Sequence, residues 1–122
     1  MIGYVTLGSN DLPRAFAYYD ALLGELGAKR SWESDTGVAW AVRRGPSVAV
    51  MKPHNGQPAT VGNGVMVALA MRNKEDVDRL YAKAISLGSK DEGPAGPRGE
   101  GFYAGYFRDL DGNKLCAFYM TT

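Results

Sequence analysis

The chain has 122 residues, 45% hydrophobic and 22% charged, and its fourteen basic and thirteen acidic side chains leave a net charge of +1. That length suits one compact soluble domain able to bury roughly two-thirds of the surface its unfolded chain exposes, and the composition excludes a disordered, fibrous or membrane-spanning chain. The basic residues are scattered apart from Arg43-Arg44, so the clustered charge of a nucleic-acid binder is missing. One cysteine, Cys116, excludes an internal disulfide and any CxxC site, and one histidine, His54, excludes a histidine cluster. The opening MIGYVTLGSND lacks the basic and apolar regions of a signal peptide, so a cytoplasmic address is expected.

In chain order, "GYVTLGS" alternates as a strand does. Asn10 or Asp11 can then cap a helix with Pro13 in its first turn. Leu12, Phe16, Tyr19, Leu23 and Leu26 recur at steps of three and four, a stripe that demands burial, and Gly24 and Gly27 supply the stop. A weaker strand is expected around Lys29 to Glu33. "VAWAVRRG" then turns into "SVAVMKP" at Gly45. "HNGQPATVGNG", rich in Gly, Asn and Pro, reads as a linker. The same grammar then returns. "GVMVALA" is a strand, Asn73 a cap, and Glu75 and Asp76 favourable first-turn acids. Val77, Tyr81 and Ile85 with Leu80 and Ala84 form the second stripe, which ends at Gly88. "YAGYFRDLDG" turns into "KLCAFYM" at Gly112.

The two halves keep register, because 66 − 4 and 81 − 19 are both 62, which sets Tyr4 against Met66 and Tyr19 against Tyr81. Superposing the turn glycines (112 − 45 = 67) sets Cys116 against Ala49. The expected fold is α+β, one domain over 1–122 built of two tandem βαβββ units: unit one 1–53, linker 54–63, unit two 64–122. Each helix covers one sheet face and leaves the other bare, and the two sheets form a curved mixed sheet around a cleft, the kind of concave surface that ligands occupy.

The opening strand with "DLPRAFAYYDALLGELG", the central "GQPATVGNGVMVALA", the "EGPAGPRGEGFYAGYF" segment and the closing "RDLDGNKLCAFYM" together resemble the vicinal oxygen chelate superfamily, the group of glyoxalase I, bleomycin-resistance proteins, fosfomycin-resistance transferases and extradiol dioxygenases. Metal-dependent members of that group hold a divalent ion with His, Glu or Gln on the first and last strands of both units. Carried over, the resemblance puts those ligand places at Tyr4, Ala49, Met66 and Cys116. Ala49 has no donor, Met66 offers a thioether suited to soft ions, and Tyr4 offers a phenol that would have to lose its proton. One thiolate, Cys116, is not a site. No metal and no other cofactor is therefore expected, and Met66 and Cys116 read as soft packers. His54, in the linker, reads as solvated.

Alternation, combined with the family geometry, turns Tyr4 and Thr6, Met66 and Ala68, Cys116 and Phe118 onto the bare face, and the same pattern turns Tyr106 inward. With Ala49 they line an aromatic, sulfur-rich wall suited to a planar or apolar small molecule. "GPAGPRGEG", residues 93–101, lacks the Lys-Ser/Thr pair and the following helix of a phosphate cradle. It reads as a flexible border from which Arg98 could reach a carboxylate or phosphate. Glu92 and Glu100 are carboxylates near that border with no partner in the spacing.

Three functions follow. The first is capture of a small aromatic or apolar molecule without metal, as bleomycin-resistance proteins capture a drug. The second is lyase, dioxygenase or transferase chemistry, with a metal held by an unexpected set or with Tyr4, Tyr106 and Arg98 acting alone. The third is a non-catalytic interaction domain. The resemblance also implies a homodimer, and neither nucleic acid nor membrane is expected as a partner.

Overall fold

Alternating segments in each half have formed strands, and the periodic segments have formed helices. The structure, a computed structural model describing residues 1–121, runs β1 (Tyr4–Gly8), α1 (Leu12–Gly24), β2 (Lys29–Ser34), β3 (Gly37–Ala41), β4 (Ser47–Met51), β5 (Val67–Ala70), α2 (Lys74–Ser86), β6 (Lys90–Pro97), β7 (Phe102–Arg108) and β8 (Lys114–Met120). It separates into two compact units, the first ending at Val61 and the second beginning at Gly62. The strand orders β1-β4-β3-β2 and β5-β8-β7-β6 are the same topology twice. In each, the first strand lies parallel to the last and the other neighbours are antiparallel. The α+β class and the two tandem βαβββ units are thus as the sequence indicates. Among the described residues, no helix is long and apolar enough to cross a membrane.

In the first unit Asp11 is the helix cap, its Oδ1 accepting from the Arg14 N–H at 3.2 Å. Asn10 instead clamps Ala59, with Oδ1 accepting from the Ala59 N–H at 2.6 Å and Nδ2 donating to its carbonyl at 3.0 Å. Residues up to Val61 therefore belong to the first unit. Gly8 permits this approach, because a Cβ there would meet the Ala59 methyl at 2.9 Å. The buried face of α1 is Ala15, Tyr18, Tyr19, Leu22 and Leu23. It shares Tyr19 and Leu23 with the stripe expected from sequence, while Leu12, Phe16 and Leu26 lie half-buried at its edge. The small Ala15 lies on the contact line, where it lets the helix approach the sheet. Under the helix, Trp40 packs its ring 5.5 Å from that of Tyr19 and donates its indole N–H to Asp20 Oδ1 at 2.8 Å. Arg30 grips the same carboxylate through two nitrogens, at 2.9 and 2.8 Å, and reaches Glu33 at 2.8 Å. The Arg30 guanidinium holds the Asp20 carboxyl below its usual range, burial opposes this, and the Trp40 bond adds to the lowering.

In the second unit Asn73 caps α2, accepting from the Asp76 N–H at 2.8 Å. Asp76 is itself held by Arg72 at 2.9 Å and Arg79 at 2.6 Å. The buried line is Asp76, Val77, Leu80 and Ala84. Ile85, expected in the stripe, is 38% exposed instead. The line through Val77 and Ala84 centres the contact, so Ile85 falls one step beyond it while Tyr81 stays half-buried against Phe107, ring centroids 6.5 Å apart. The Tyr81 hydroxyl donates to Asp91 at 2.8 Å, and the Tyr103 hydroxyl to Asp78 at 2.6 Å.

The turn between β7 and β8 is organised by one carboxylate. Asp109, 5% exposed, accepts from the N–H groups of Asp111 and Asn113, both at 2.9 Å, and from Asn113 Nδ2 at 3.0 Å. Gly112 follows at φ 92, where a side chain would be strained. The corresponding turn in the first unit takes its left-handed residue at Arg44, φ 63, rather than at the neighbouring Gly45.

Two outcomes are expected in denaturant unfolding. Asp109→Ala should cost about 1–3 kcal/mol, since it leaves turn donors without an acceptor. Asp20, whose folded pKa is depressed, contributes stability at pH values above about 4 that is lost as pH falls through the folded value. Asp20→Asn should therefore flatten the acid limb of the stability profile, with a loss near neutrality of about 1 kcal/mol for an ion pair this exposed.

Candidate functional site

The two sheet faces of the second unit are told apart by α2. Leu115, Ala117 and Phe107 are fully buried, and a Cβ on Gly105 would strike Tyr81 of α2 at 3.0 Å, so these residues face the helix. Period two then turns Lys114, Cys116, Phe118 and Met120 of β8 to the open face. Register adds their neighbours: Ala68 beside Cys116, Ala70 beside Phe118, and on β7 Arg108, Tyr106, Ala104 and Phe102. Phe102 and Phe118 stack, their ring centroids 5.8 Å apart and planes 27° from parallel. Ala68 and Ala70 are exposed beside them. The result is a shallow apolar strip with one aromatic wall.

Of the residues singled out from sequence, Ala68, Tyr106, Cys116 and Phe118 share this open face. Cys116 pairs with Ala68 on one side and with Tyr106 on the other. Arg98 joins them from the loop after β6: its guanidinium carbon lies 5.6 Å from the Tyr106 ring centroid. Residues 93–97, read as part of a loop, instead continue β6 as an edge strand with two register shifts, where prolines are tolerated because nothing needs their missing N–H. Met66 precedes β5 and is 40% exposed.

In the first unit Trp40 and Val48 face α1, so Ser47, Ala49 and Met51 point the other way, with Tyr4 paired to Ser47 and Thr6 to Ala49. Tyr4 is 69% exposed and Ala49 only 5%. The pairs Thr6–Ala49 and Ala68–Cys116 occupy equivalent places in the two units. Trp32, 49% exposed, shares that face through its pairing with Ala39. A register shift between Arg30 and Trp32 inverts the parity of β2, so alternation alone could not have found it. His54 and Glu100 are exposed. Glu92 bonds Arg108 Nε at 2.8 Å, which lowers its pKa.

The residues at the ligand places of metal-dependent relatives do not fit a divalent ion. In the first unit they are a methyl group, Ala49, and a phenol, Tyr4. In the second they are a thioether outside the strand, Met66, and the thiol of Cys116. Metal binding requires the thiolate, but Cys116 is 1% exposed and its burial pushes the thiol pKa up, against smaller lowering from the Lys114 charge and the Leu69 N–H. Among the described residues, no group of three or more His, Cys, Asp or Glu could hold a metal ion. Chemistry routed through a metal at these four places has no support in the donors present.

Sequence reasoning missed Phe102, Arg108 and Lys114. Lys114 stands two residues before Cys116 on the same strand, so period two could have found it.

The sequence matches the family model of the Glyoxalase/Bleomycin resistance protein/Dioxygenase superfamily over residues 1–117. Among solved structures, a glyoxalase/bleomycin resistance protein from Albidiferax ferrireducens T118 is 36% identical, with 99% of each chain covered and a TM-score of 0.91. A lactoylglutathione lyase from Agrobacterium tumefaciens is 22% identical, with 98% of this chain and 92% of that one covered and a TM-score of 0.74. A glyoxalase/bleomycin resistance protein/dioxygenase family enzyme from Burkholderia phytofirmans PsJN is 15% identical, with 98% of each covered and a TM-score of 0.78. These last two likenesses are of fold. Among curated proteins none matches the chain.

Burial of Cys116 sets an expectation for its reactivity. In native protein a water-soluble aromatic disulfide reagent should modify it at least a hundredfold more slowly than in denaturant, where one equivalent should react. Rapid native modification would show the thiol to be open and ionisable.

Proposed function

Since the chain belongs to the glyoxalase/bleomycin resistance protein/dioxygenase superfamily, we propose that it binds a small aromatic or apolar molecule on the open face of the second unit's sheet, without a divalent ion. The observation that carries this reading is the donor-poor row Ala68–Cys116–Tyr106 and, one step along, Ala70–Phe118–Ala104, in which Cys116 and Ala104 are buried beneath their neighbours and Ala68, Ala70, Phe118 and Tyr106 are open to a ligand. Apolar strips with an aromatic wall take planar ligands by area burial and offset stacking. Phe118, already stacked on Phe102, presents such a wall at little further ordering cost. Tyr106 supplies a hydroxyl that can orient a polar substituent. A binding role rather than turnover is supported by the lack of a carboxylate or imidazole in these two rows, because the likeness to relatives with lyase or dioxygenase names brings the fold and not their reacting groups.

The test uses 2-naphthamide, a neutral flat probe, followed by calorimetry and by protein NMR. Binding should shift resonances of Ala68, Ala70 and Phe118, persist unchanged in EDTA, and weaken about tenfold in Phe118→Ala, the equivalent of about 1.4 kcal/mol of stacking and lost area. One equivalent of zinc, nickel, iron or manganese retained by the purified protein through three or more of its own atoms would end the metal-free reading.

A further inference from the structure

The open face that takes the ring is apolar at one end only. At the other end, Lys90 of β6, Arg108 of β7 and Lys114 of β8 stand in one row across three adjacent strands. Like charges directly opposite one another on a sheet destabilise it, and among the described residues Glu92 is the carboxylate paired with the row, at Arg108. Glu92 is bonded to Arg108, with Lys90 and Lys114 acting on it only through their charge. Arg98 brings a fourth cation. Neither Arg98 nor Lys114 lies within ion-pair distance of a carboxylate among the described residues.

These two cations converge on one ring. The Lys114 ammonium lies 5.5 Å and the Arg98 guanidinium carbon 5.6 Å from the centroid of Tyr106. Arg98 is seated there by the backbone: Nη2 donates to the Pro94 carbonyl, and Nη1 to the Pro97 carbonyl at 3.2 Å. The edge strand also leaves room for it. A Cβ on Gly93 would crowd Arg98 Nη2 and Tyr106 Cδ2, both at 3.3 Å, and one on Gly96 would crowd Nη1 at 3.3 Å. Two of the five guanidinium N–H donors are spent on those carbonyls, which leaves three. An oriented guanidinium with free donors, beside an unpaired ammonium and a phenol, is a recognition element for a carboxylate or another small oxyanion.

Resting on the reading of this face as a binder of flat molecules, we infer that its ligand is an aromatic acid. The ring lies along Phe118, Ala70 and Ala68, and the anionic group is held by Arg98 and Lys114 beside Tyr106. Dimensions agree: Tyr106 is one open-face step from the row of Phe118, roughly 7 Å, and Lys114 two steps, roughly 13 Å. Those distances match a carboxylate or phosphate joined directly, or through a short linker, to one or two rings. The acid supplies the charge that the cationic row lacks.

The experiment compares 2-naphthoate with 2-naphthamide, identical flat frames with and without the charge, on the full chain by calorimetry. The acid should bind about tenfold tighter than the amide at low salt. This preference should shrink towards twofold in 0.5 M sodium chloride, and also in Lys114→Gln and in Arg98→Gln, each checked for an unchanged far-ultraviolet circular dichroism spectrum. The salt series on unaltered protein decides the matter even where a variant fails to fold. Equal affinity for acid and amide overturns the anion subsite while leaving the apolar face intact as a binder. A preference that survives both substitutions and high salt overturns the assignment to Arg98 and Lys114. Binding of neither probe removes the reading on which this inference stands, and the inference with it.

Discussion

The constraint on which the rest depends is the register of β8. Leu115 and Ala117 are fully buried on the helix side beside Phe107, and this burial decides which alternate residues face away. A slip of one residue would send Leu115 and Ala117 outward and bring Lys114, Cys116 and Phe118 under α2. Putting the Lys114 charge there would cost far more than any gain from the others. The Asp109-centred turn holds the same register from the other side, by fixing where β8 begins.

The doubled architecture shows how one plan tolerates different chemistry. Both units pair their first strand with their last in parallel and cover one sheet face with a helix. The first unit ties its helix to the sheet through Asp20, which gathers Arg30 and Trp40. The second does so through two tyrosines, Tyr81 to Asp91 and Tyr103 to Asp78. At the open-face centre the equivalent pairs are Thr6–Ala49 and Ala68–Cys116. None of these four is a carboxylate or imidazole of the kind that divalent ions favour. Of the family's ligand places, Ala49 and Cys116 are buried, while Tyr4 and Met66 are exposed.

A division of labour also marks the placement of polar groups on the second unit's open face. Its apolar strip begins at Cys116 and runs through Phe118 towards Met120, while every cation of the face lies on the other side, around Tyr106. Tyr106 sits at the boundary, its ring against two cations and its strand neighbour a buried thiol. An aromatic ring suits such a boundary because its face attracts cations and its body covers apolar surface.

How much was legible in the sequence follows from what each signal encodes. Hydrophobic period and caps are local, so both helices, the tandem repeat and the pairing of Ala49 with Cys116 as equivalents could be read directly; so could the open-face positions of Thr6, Ala68, Tyr106 and Phe118, once family geometry was joined to alternation. The family itself was readable from motifs spread along the whole chain. Three matters were left to tertiary structure. The edge-strand identity of residues 93–97 depends on β7 supplying hydrogen bonds, which overrides the loop-like Gly and Pro content. The exposure of Ile85 and of Trp32 depends on where a helix axis or a register shift falls, and composition does not carry that. The seating of Arg98 over Tyr106 depends on two carbonyls and two absent side chains of a strand brought alongside by folding. The sequence by itself determined the fold, its duplication and which residue types stand at the family's ligand places, because those rest on residue type and spacing; only the folded chain decided which charges converge, because convergence is a property of strands adjacent in space.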